Sequence, residues 1–525
     1  MKKFMNKRPI RFFNTTGPCN PWDHYMLPPE ERLVGAQLHR YISDNLYWVL
    51  HAPRQTGKTT FLQDWMRQIN SGEEAAACYV SLGLCKGITD PKDSMPTICN
   101  AIKYWADQYN LPVPSKHTNN PLSSLSSILG NWASICATKK LVILFDEVDV
   151  LQDDTVISFL QQLRDGFMSR GPGLFPTSIA LVGIKDLKDY LVAAKDGVPV
   201  NVGSAFNIKS DSASLSNFSK EDVKNLFAQR TVETGQEISG DALDYIWDQS
   251  RGQPWIVNSL FQRATMRVLK EDCYDTVTIS HTQEAREQMV LARETHLDAL
   301  AARLEIPEVR KVMEALITGE PNPGLLESDE YRICSDLGLV TLEDGTPCIS
   351  NPIYREIIAR QMTFSTQAAI QKPEWQWKTP DGSLDMDTLL KEFQKFWRKH
   401  SAVWENQSNY HEAFPHLLLM AFLQRVLNGG GEIDREYAAG RGRMDLAVHY
   451  NAKTYIIEVK LIHYYDTPTE VKKDGLKQIA RYRDTIDKNA PAYLVIFDRR
   501  PESIEKSWEE KIQWLTEEDI TIVGC

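Results

Sequence analysis

The chain has 525 residues, which at about 100–200 residues per domain predicts three or four domains and excludes a single small binding module. Its 59 Lys and Arg residues against 70 Asp and Glu residues give a net charge of −11, with 42% hydrophobic and 25% charged residues. This is the balance of an ordinary globular protein, so the chain is not a basic nucleic-acid coat and any binding of DNA or RNA must be local.

Cysteine usage and hydropathy indicate the compartment. The nine cysteines are scattered, with no Cys-x-x-Cys pair and no Cys/His cluster of zinc-ligand spacing. The basic amino terminus lacks the apolar stretch of a signal peptide, and no run of about eighteen apolar residues occurs. We therefore expect free thiols in a reducing compartment, a cytoplasmic location and no membrane partner.

The first part of the chain, residues 1–215, predicts an α/β core. Apolar, β-rich runs alternate with helical stretches and lie at 47–52, 78–82, 141–147 and 178–184. Continuous apolar strands separated by helices predict a parallel sheet that is buried on both faces. From 216 to 300 the pattern changes to helical periodicity, which predicts an all-helical block after the core.

Residues 301–363 predict a winged-helix unit, because two helices precede two short strands around the turn at 343–346. The helix that would enter a DNA groove carries three acidic residues against one arginine: Asp329, Glu330 and Asp336 against Arg332. Phosphate repulsion favours a packing or oligomer-contact role, with nucleic-acid contact as the alternative. Residues 364–404 predict a linker and helical connector, and 405–525 predict a further α/β domain.

A phosphate-binding loop is the first chemical signal. Residues 52–59 read Ala-Pro-Arg-Gln-Thr-Gly-Lys-Thr between an apolar strand and a helical segment. Such a loop turns backbone N–H groups onto phosphate at a helix N-terminus, Lys58 reaches the β- and γ-phosphates, and the Thr59 hydroxyl ligates Mg²⁺. Ala52 replaces the usual first glycine, which is a mild departure. The predicted nucleotide-binding residues are Pro53, Arg54, Gln55, Thr56, Gly57, Lys58, Thr59, Thr60 and Asp146.

The apolar run at 141–145 ends in two carboxylates, Asp146 and Glu147. Asp146 would hold the metal through water, and Glu147 would orient or deprotonate the attacking water in phosphoanhydride hydrolysis. A buried strand followed by an acidic turn is the simpler alternative. The presence of Lys58 and Thr59 upstream favours the catalytic interpretation.

These motifs resemble P-loop ATPases of the AAA+/STAND-related kind. Further matches are VGIKDLKDY after the fourth strand, SAFNIKS near 204–210, and Gly-Gln-Pro-Trp at 252–255. The resemblance covers about residues 20–360. It implies ATP and Mg²⁺ as cofactors, a helical lid over 216–300 and a winged helix, and it allows assembly into a homo-oligomer.

A second chemical signal lies in the C-terminal region, where two predicted strands adjoin. Alternation puts Glu458 and Lys460 on one face, and in a hairpin Asp445 would face the same point. Two converging carboxylates would hold Mg²⁺ or Mn²⁺ through hard oxygen ligands. Lys460 would then orient or help deprotonate a water that attacks phosphorus.

This spacing resembles the PD-(D/E)xK nuclease superfamily, with Asp445, Glu458 and Lys460 on its three motif positions. Gln478 and Tyr482, four residues apart on a helix, resemble the QxxxY element of the exonuclease-like branch. The resemblance implies that Gln478 and Tyr482 act with the catalytic residues and that Glu412 supplies an additional metal ligand. Met444 stands where the family usually has proline, a common variation.

The helix at 471–483 is basic. It carries Lys472, Lys473, Lys477, Arg481 and Arg483 against Asp474. This charge favours contact with a phosphate backbone, and a solvated basic face is the alternative.

The sequence thus predicts an α/β multidomain protein: a P-loop parallel-sheet ATPase core with helical lid and winged helix, followed by a PD-(D/E)xK nuclease α/β domain. The ATPase module would regulate or position a metal-dependent nuclease acting on nucleic acid, with DNA preferred, and an activating protein partner is compatible with this. One alternative is an ATP-driven switch or scaffold whose C-terminal domain only binds nucleic acid or a protein. A helicase-like motor is the other, but no helicase motifs accompany the two nucleotide motifs.

Overall fold

We describe the chain from a computed structural model, whose described residues are 11–115, 118–136, 138–169, 174–184, 191–193, 199–201, 209–291, 300, 302–318, 324–358, 361, 377, 379, 381–407, 415, 418–420, 422–423, 431–439, 442–450, 453–462, 466–485, 487–498 and 513–525. The chain divides into two compact units. The N-terminal unit comprises Met1–Arg293 and Cys334–Val340, and the C-terminal unit comprises Glu294–Ile333 and Thr341–Cys525.

A six-stranded sheet forms the centre of the N-terminal unit. Its strands are β1 (Leu33–Val34), β2 (Tyr47–His51), β3 (Ala75–Ser81), β4 (Lys140–Asp146), β5 (Ser178–Gly183) and β8 (Lys209–Leu215), in the spatial order β1-β8-β2-β5-β4-β3. Every neighbouring pair from β8 to β3 is parallel, and β1 is antiparallel. A separate antiparallel pair is formed by β6 (Leu191–Ala193) and β7 (Pro199–Asn201). The predicted parallel sheet is confirmed.

Helices cover both faces of this sheet. They are α1 (Leu38–Ser43), α2 (Lys58–Ser71), α3 (Pro91–Gln108), α4 (Ser124–Ile135) and α5 (Asp153–Met168). Alternate residues of β2 enter two different apolar clusters: Tyr47 and Val49 pack with α3, α4 and α5, whereas Trp48 and Leu50 pack with α1 and α2. This two-sided burial explains why the strands read as continuous apolar runs.

The segment near 204–210, which the sequence matches to a core strand, is described only from Lys209, where β8 begins; 202–208 lie outside the described residues. Strand β8 has a polar composition, Lys-Ser-Asp-Ser-Ala-Ser-Leu. Only Ala213 and Leu215 of this strand enter the apolar cluster beside α2.

An all-helical block follows β8. Its elements are α6 (Lys220–Thr234), α7 (Gly240–Ser250), α8 (Pro254–Gln262), a π-helical segment (Arg263–Val268) and α9 (Ile279–Leu291). The first helix begins at a capping box, in which the Ser219 side chain and the Asp222 side chain each bind the other residue's backbone N–H. It ends at Gly235, which has φ 79°.

The predicted order of two helices and a hairpin is present in the next region. The helices are α10 (Pro307–Thr318) and α11 (Asp329–Asp336), and the antiparallel strands are β9 (Val340–Glu343) and β10 (Thr346–Ile349). The turn between the strands contains Asp344 and Gly345, both with positive φ. The winged-helix interpretation and the exact domain boundaries stay predictions.

The C-terminal unit contains a second six-stranded sheet. After α12 (Met386–Gln407) come β11 (Gly431–Ala439), β12 (Gly442–Tyr450), β13 (Lys453–Ile462), α13 (Pro468–Thr485), β14 (Ala492–Asp498), β15 (Trp514–Glu517) and β16 (Ile520–Gly524). The spatial order is β11-β12-β13-β14-β16-β15, with β13, β14 and β16 parallel to one another. The predicted pairing of β12 with β13 as an antiparallel hairpin is confirmed.

Helix α13 covers one face of this sheet. Ile479 and Tyr482 pack with Ile456 of β13 and Leu494 of β14 in one apolar cluster. None of the described helices combines the length and the apolar character needed to span a membrane.

Candidate active sites

The phosphate-binding loop lies between β2 and α2, as the sequence predicted. Gly57 caps α2 with φ 97°, and a Cβ added there would stand 2.9 Å from the Arg32 Nη2 atom. Glycine is therefore required at Gly57 both by the left-handed backbone and by the close approach of Arg32. Ala52 is not among the residues with positive φ, so the methyl group at the usual first glycine position is tolerated.

The side chains of the loop are held by its own backbone. Lys58 Nζ donates to the carbonyl oxygens of Ala52 and Pro53 at 2.7 and 2.8 Å, and Thr56 Oγ1 donates to Pro53 O at 2.9 Å. The ammonium group thus lies inside the loop at the N-terminus of α2, where the backbone N–H groups and the helix dipole favour an anion. Arg54 and Gln55 are exposed on the outer side of the loop.

Asp146 lies at the end of β4 and is only 2% exposed. Its carboxylate accepts hydrogen bonds from Thr59 Oγ1 at 2.6 Å, from Tyr79 OH at 3.2 Å and from the Glu147 backbone N–H at 2.9 Å. Burial raises the pKa of Asp146, and the Thr59 hydrogen bond and the Lys58 charge oppose that rise. A hydroxyl and a carboxylate oxygen in contact form a donor set that fits a hard cation such as Mg²⁺.

Glu147 differs from Asp146 in its exposure to solvent. It is exposed, its backbone is left-handed with φ 62°, and its Oε2 accepts a hydrogen bond from Ser81 Oγ at 2.6 Å. A Cβ added at Gly83 would stand 2.6 Å from the same Oε2. The end of β3 therefore fixes the direction of the Glu147 carboxylate.

The sequence did not point to Ser81 or Tyr79 as residues of this site. Both lie on β3, whose register with β4 pairs Ser81 with Asp146. The signal would have been a polar residue at the end of β3, because β3 lies beside β4, the strand that ends in Asp146. It could not be used because the sequence does not say which strands are neighbours.

Arg32 was also missed. Its Nη1 donates to the carbonyl oxygens of Thr56 and Ser216, both at 2.9 Å, and the guanidinium lies 4.8 Å from the Phe218 ring centroid. Burial lowers the pKa of the Arg32 guanidinium to about 10. The side chain thus ties the phosphate-binding loop to the segment where β8 leads into the helical block.

Other segments of the N-terminal unit contact the loop. The Cys19 backbone N–H donates to Thr60 Oγ1 at 3.0 Å, and Gln253 Nε2 lies 3.5 Å from Gln55 O. Gly338 belongs to the same unit and has φ 72°, and a Cβ added there would stand 2.6 Å from Pro53 Cβ. The loop is therefore packed from several sides.

The second site lies on β13. Glu458 is 2% exposed, and its Oε1 lies 3.0 Å from Lys460 Nζ. Because residues two apart share a face, Glu458 and Lys460 lie on the side of Ile456, which packs against α13.

The predicted metal ligands are only partly described. Leu446 of β12 pairs with Ile457 of β13 in an antiparallel register. Asp445 on β12 and Glu458 on β13 each lie one residue beyond this pair, at the same end of it. The side chain of Asp445 and the whole of Glu412 lie outside the described residues. Among the side chains that are described, no group of three or more His, Cys, Asp or Glu residues could hold a metal ion.

The two residues of the predicted QxxxY element occupy different environments. Gln478 is partly exposed, and its Nε2 donates to Asp474 Oδ2 at 3.2 Å. Tyr482 is 4% exposed and belongs to the apolar cluster beneath α13. Both lie on the sheet-facing half of the helix, but only Gln478 reaches solvent.

A comparison with protein-family models matches residues 410–495 to the PD-(D/E)XK nuclease superfamily. Residues 410–495 are a PD-(D/E)XK nuclease domain. The matched range includes Asp445, Glu458, Lys460, Gln478 and Tyr482, which the sequence had assigned to this superfamily. The chain therefore joins a P-loop ATPase fold to a PD-(D/E)XK domain.

Solved structures resemble the chain only distantly. A Walker-type ATPase of Pyrococcus abyssi has 13% identity and a TM-score of 0.45, and the match covers 64% of this chain and 99% of that one. A RuvB variant of Thermotoga maritima (13% identity, 61% and 90% coverage, TM-score 0.32) and Cdc6p of Pyrobaculum aerophilum (13%, 61% and 88%, 0.33) are also similar. Comparison with curated proteins gave no match. The ATPase fold rests instead on the strand order and the loop geometry described above.

Proposed function

We propose that the protein is an ATP-dependent, metal-dependent nuclease that cleaves phosphodiester bonds in nucleic acid, with DNA as the preferred substrate. The observation that carries this proposal is the presence of two clusters of charged and polar side chains in one chain, each on the motif positions of a hydrolytic site. One comprises Lys58, Thr59, Asp146 and Glu147, and the other lies at Glu458 and Lys460 within the nuclease-family region.

In the N-terminal centre, each side chain has a separate task. Lys58 leaves its two carbonyl partners to bind the β- and γ-phosphates of ATP, and the loop N–H groups take the remaining phosphate oxygens. The Thr59 hydroxyl and the Asp146 carboxylate would hold Mg²⁺, which neutralises charge on the phosphates when bound. Glu147, kept in direction by Ser81, orients the attacking water and accepts its proton.

In the C-terminal centre, Asp445, Glu458 and Glu412 would hold Mg²⁺ or Mn²⁺, which supplies Lewis-acid stabilisation of the charged phosphorus centre. The contact of Lys460 with Glu458 supports a role in which the ammonium group would lie beside the reacting phosphate and orient the attacking water. Gln478 and Tyr482 support this centre from α13. Water attack at phosphorus releases one strand end as a phosphate ester and the other as an alcohol.

ATP gates or positions the nuclease in this proposal. Gln253 of the helical block and Gly338, which follows α11, both contact the phosphate-binding loop within the N-terminal unit. A loop that rearranges around phosphate shifts both contacts, and this would carry the nucleotide state to the lid and to the predicted winged helix. Assembly into a homo-oligomer or the binding of an activating protein is compatible with this coupling.

The test is a cleavage assay on the full-length protein. Linear, circular and single-stranded DNA and RNA are incubated with Mg²⁺ or Mn²⁺, with and without ATP, and ATP hydrolysis is measured in parallel. Lys58→Ala removes the phosphate contact, and Lys140→Ala, an exposed lysine of the same unit, is its matched control. Glu458→Gln removes the metal ligand, and Glu470→Gln, an exposed acid of the same unit, is its control.

Cleavage that is lost in Glu458→Gln, and that responds to ATP only when Lys58 is present, supports the proposal. Cleavage that persists in Glu458→Gln would indicate a contaminating nuclease and refute the assignment. An identical response to ATP in Lys58→Ala would refute the coupling alone. ATP hydrolysis without cleavage of any substrate would favour the switch or scaffold.

A further inference from the structure

The basic residues of α13 fall into two groups with different surroundings. Lys472 pairs with Glu517, and Arg483 donates from Nε to Ala490 O at 2.9 Å and from Nη2 to Asp519 O at 2.8 Å. These two side chains hold the helix to the end of β15 and to the two loops that contain Ala490 and Asp519. Lys473, Lys477 and Arg481 are exposed, and none of the described residues forms an ion pair with them.

The three exposed cations are spaced four residues apart, so they lie in one row along the helix. From Lys473 to Arg481 the row extends about 12 Å at 1.5 Å per residue. One strand of a duplex advances about 3.4 Å per phosphate, so the row is long enough to meet three phosphates. In a chain of net charge −11, three exposed cations in a row are a local exception.

The same helix approaches the sheet at the level of the nuclease centre. A Cβ added at Gly475 would stand 2.5 Å from Leu494 Cδ1, and Leu494 is the register partner of Glu458. Glycine therefore lets α13 lie close over the sheet face that carries Glu458 and Lys460. A backbone bound along the exposed side of α13 would lie on the same side of the sheet as Glu458 and Lys460.

We propose that Lys473, Lys477 and Arg481 form a phosphate-backbone rail that holds duplex DNA for the nuclease centre; this rests on the proposed function. Phosphate contacts of this kind position a duplex without reading its sequence. A membrane is a poor alternative occupant, because the apolar face of α13, with Ile479 and Tyr482, is already buried against the sheet.

The test measures the salt dependence of binding. The full-length protein carries Glu458→Gln and is titrated without divalent metal against a labelled 30-base-pair DNA duplex from about 50 to 200 mM salt. The rail variant is Lys473→Gln/Lys477→Gln/Arg481→Gln. The control variant is Lys395→Gln/Lys453→Gln/Lys488→Gln, which removes three positive charges from side chains that are ion-paired in the same unit.

Each lost phosphate contact lowers the slope of log K against log salt by about 0.9 on duplex DNA and about 0.7 on a single strand. Loss of three contacts therefore predicts a slope lower by about 2.7. Between 50 and 200 mM salt, the affinity of the parent protein should fall about 40-fold further than that of the rail variant. The control variant should keep the parent slope.

The outcomes separate this inference from the nuclease assignment. If the rail variant kept both the parent affinity and the parent slope of log K against log salt, the proposed phosphate contacts would be refuted, even if the wild-type protein cleaves DNA. A lowered slope on an acidic peptide instead of DNA would assign the row to a protein partner and also overturn it. A lowered slope on DNA with no cleavage by the wild-type protein would uphold the rail and refute the nuclease.

Discussion

Replacing Arg32 by methionine should weaken the N-terminal unit and its nucleotide site together. The Thr56 carbonyl is buried, and the Ser216 carbonyl is partly buried, so both lose a charged donor at 2.9 Å. A buried acceptor left without a partner costs about 1–3 kcal/mol. Relief from burying the guanidinium offsets part of this cost. We expect a net loss of about 2 kcal/mol, or roughly 3 °C in the unfolding temperature of a unit of 300 residues.

The same substitution should lower ATP affinity about tenfold, because the loop that Arg32 ties down must then be ordered by the nucleotide itself. Calorimetry and a fluorescent-nucleotide titration measure the two effects. The matched control is Arg40→Met: Arg40 is 53% exposed and pairs with Asp44, so its loss should change stability by less than about 0.5 kcal/mol. If Arg32→Met behaved like Arg40→Met in both measurements, the assigned role of Arg32 would be wrong.

Three further substitutions have expected outcomes. Ser81→Ala removes the hydrogen bond to the Glu147 carboxylate, so it should lower the kcat of ATP hydrolysis about 3- to 10-fold and leave the nucleotide affinity unchanged. Steady-state kinetics measures both, and an equal loss of affinity would contradict this. Gly475→Ala should destabilise the C-terminal unit by about 1–3 kcal/mol, because the added methyl group meets Leu494, and an unchanged denaturation midpoint would argue against that contact. Tyr482→Ala should cost the C-terminal unit about 3–5 kcal/mol, because the ring belongs to the apolar cluster beneath α13; denaturation followed by circular dichroism measures the loss, and an unchanged midpoint would contradict it.

The elements that the sequence predicted well are those with short-range signals. A phosphate-binding loop is eight consecutive residues, and the two acids after β4 follow an uninterrupted apolar run. The alternation that put Glu458 and Lys460 on one face is likewise a property of three residues, and the two side chains are in contact. Such patterns need no knowledge of which strands are neighbours.

The contacts that escaped prediction join residues far apart in the sequence. Arg32 lies 184 residues from Ser216, and Lys472 lies 45 residues from Glu517. Composition could say that α13 is basic, but only the fold separates the cations that hold the helix in place from those that face solvent. Strands β15 and β16 were missed because they are short and are joined by Glu518 and Asp519, non-glycine residues that nevertheless adopt positive φ.

The two candidate sites occupy different parts of their sheets: the first lies at the edge where strands end, and the second lies on a sheet face. Their access to a ligand therefore differs. In the N-terminal unit the parallel strands end at one edge, so Ala52, Ser81, Asp146 and Gly183 meet there through backbone pairs such as Ala52 N–H to Gly183 O. An edge site is open to a large ligand, and loops provide its walls. Glu458 lies within β13 on a sheet face, where a covering helix would block access. Gly475 allows α13 to pack closely over Leu494, the register partner of Glu458. The Glu458 side chain is 2% exposed, whereas the Lys460 side chain is 22% exposed and can be reached from solvent.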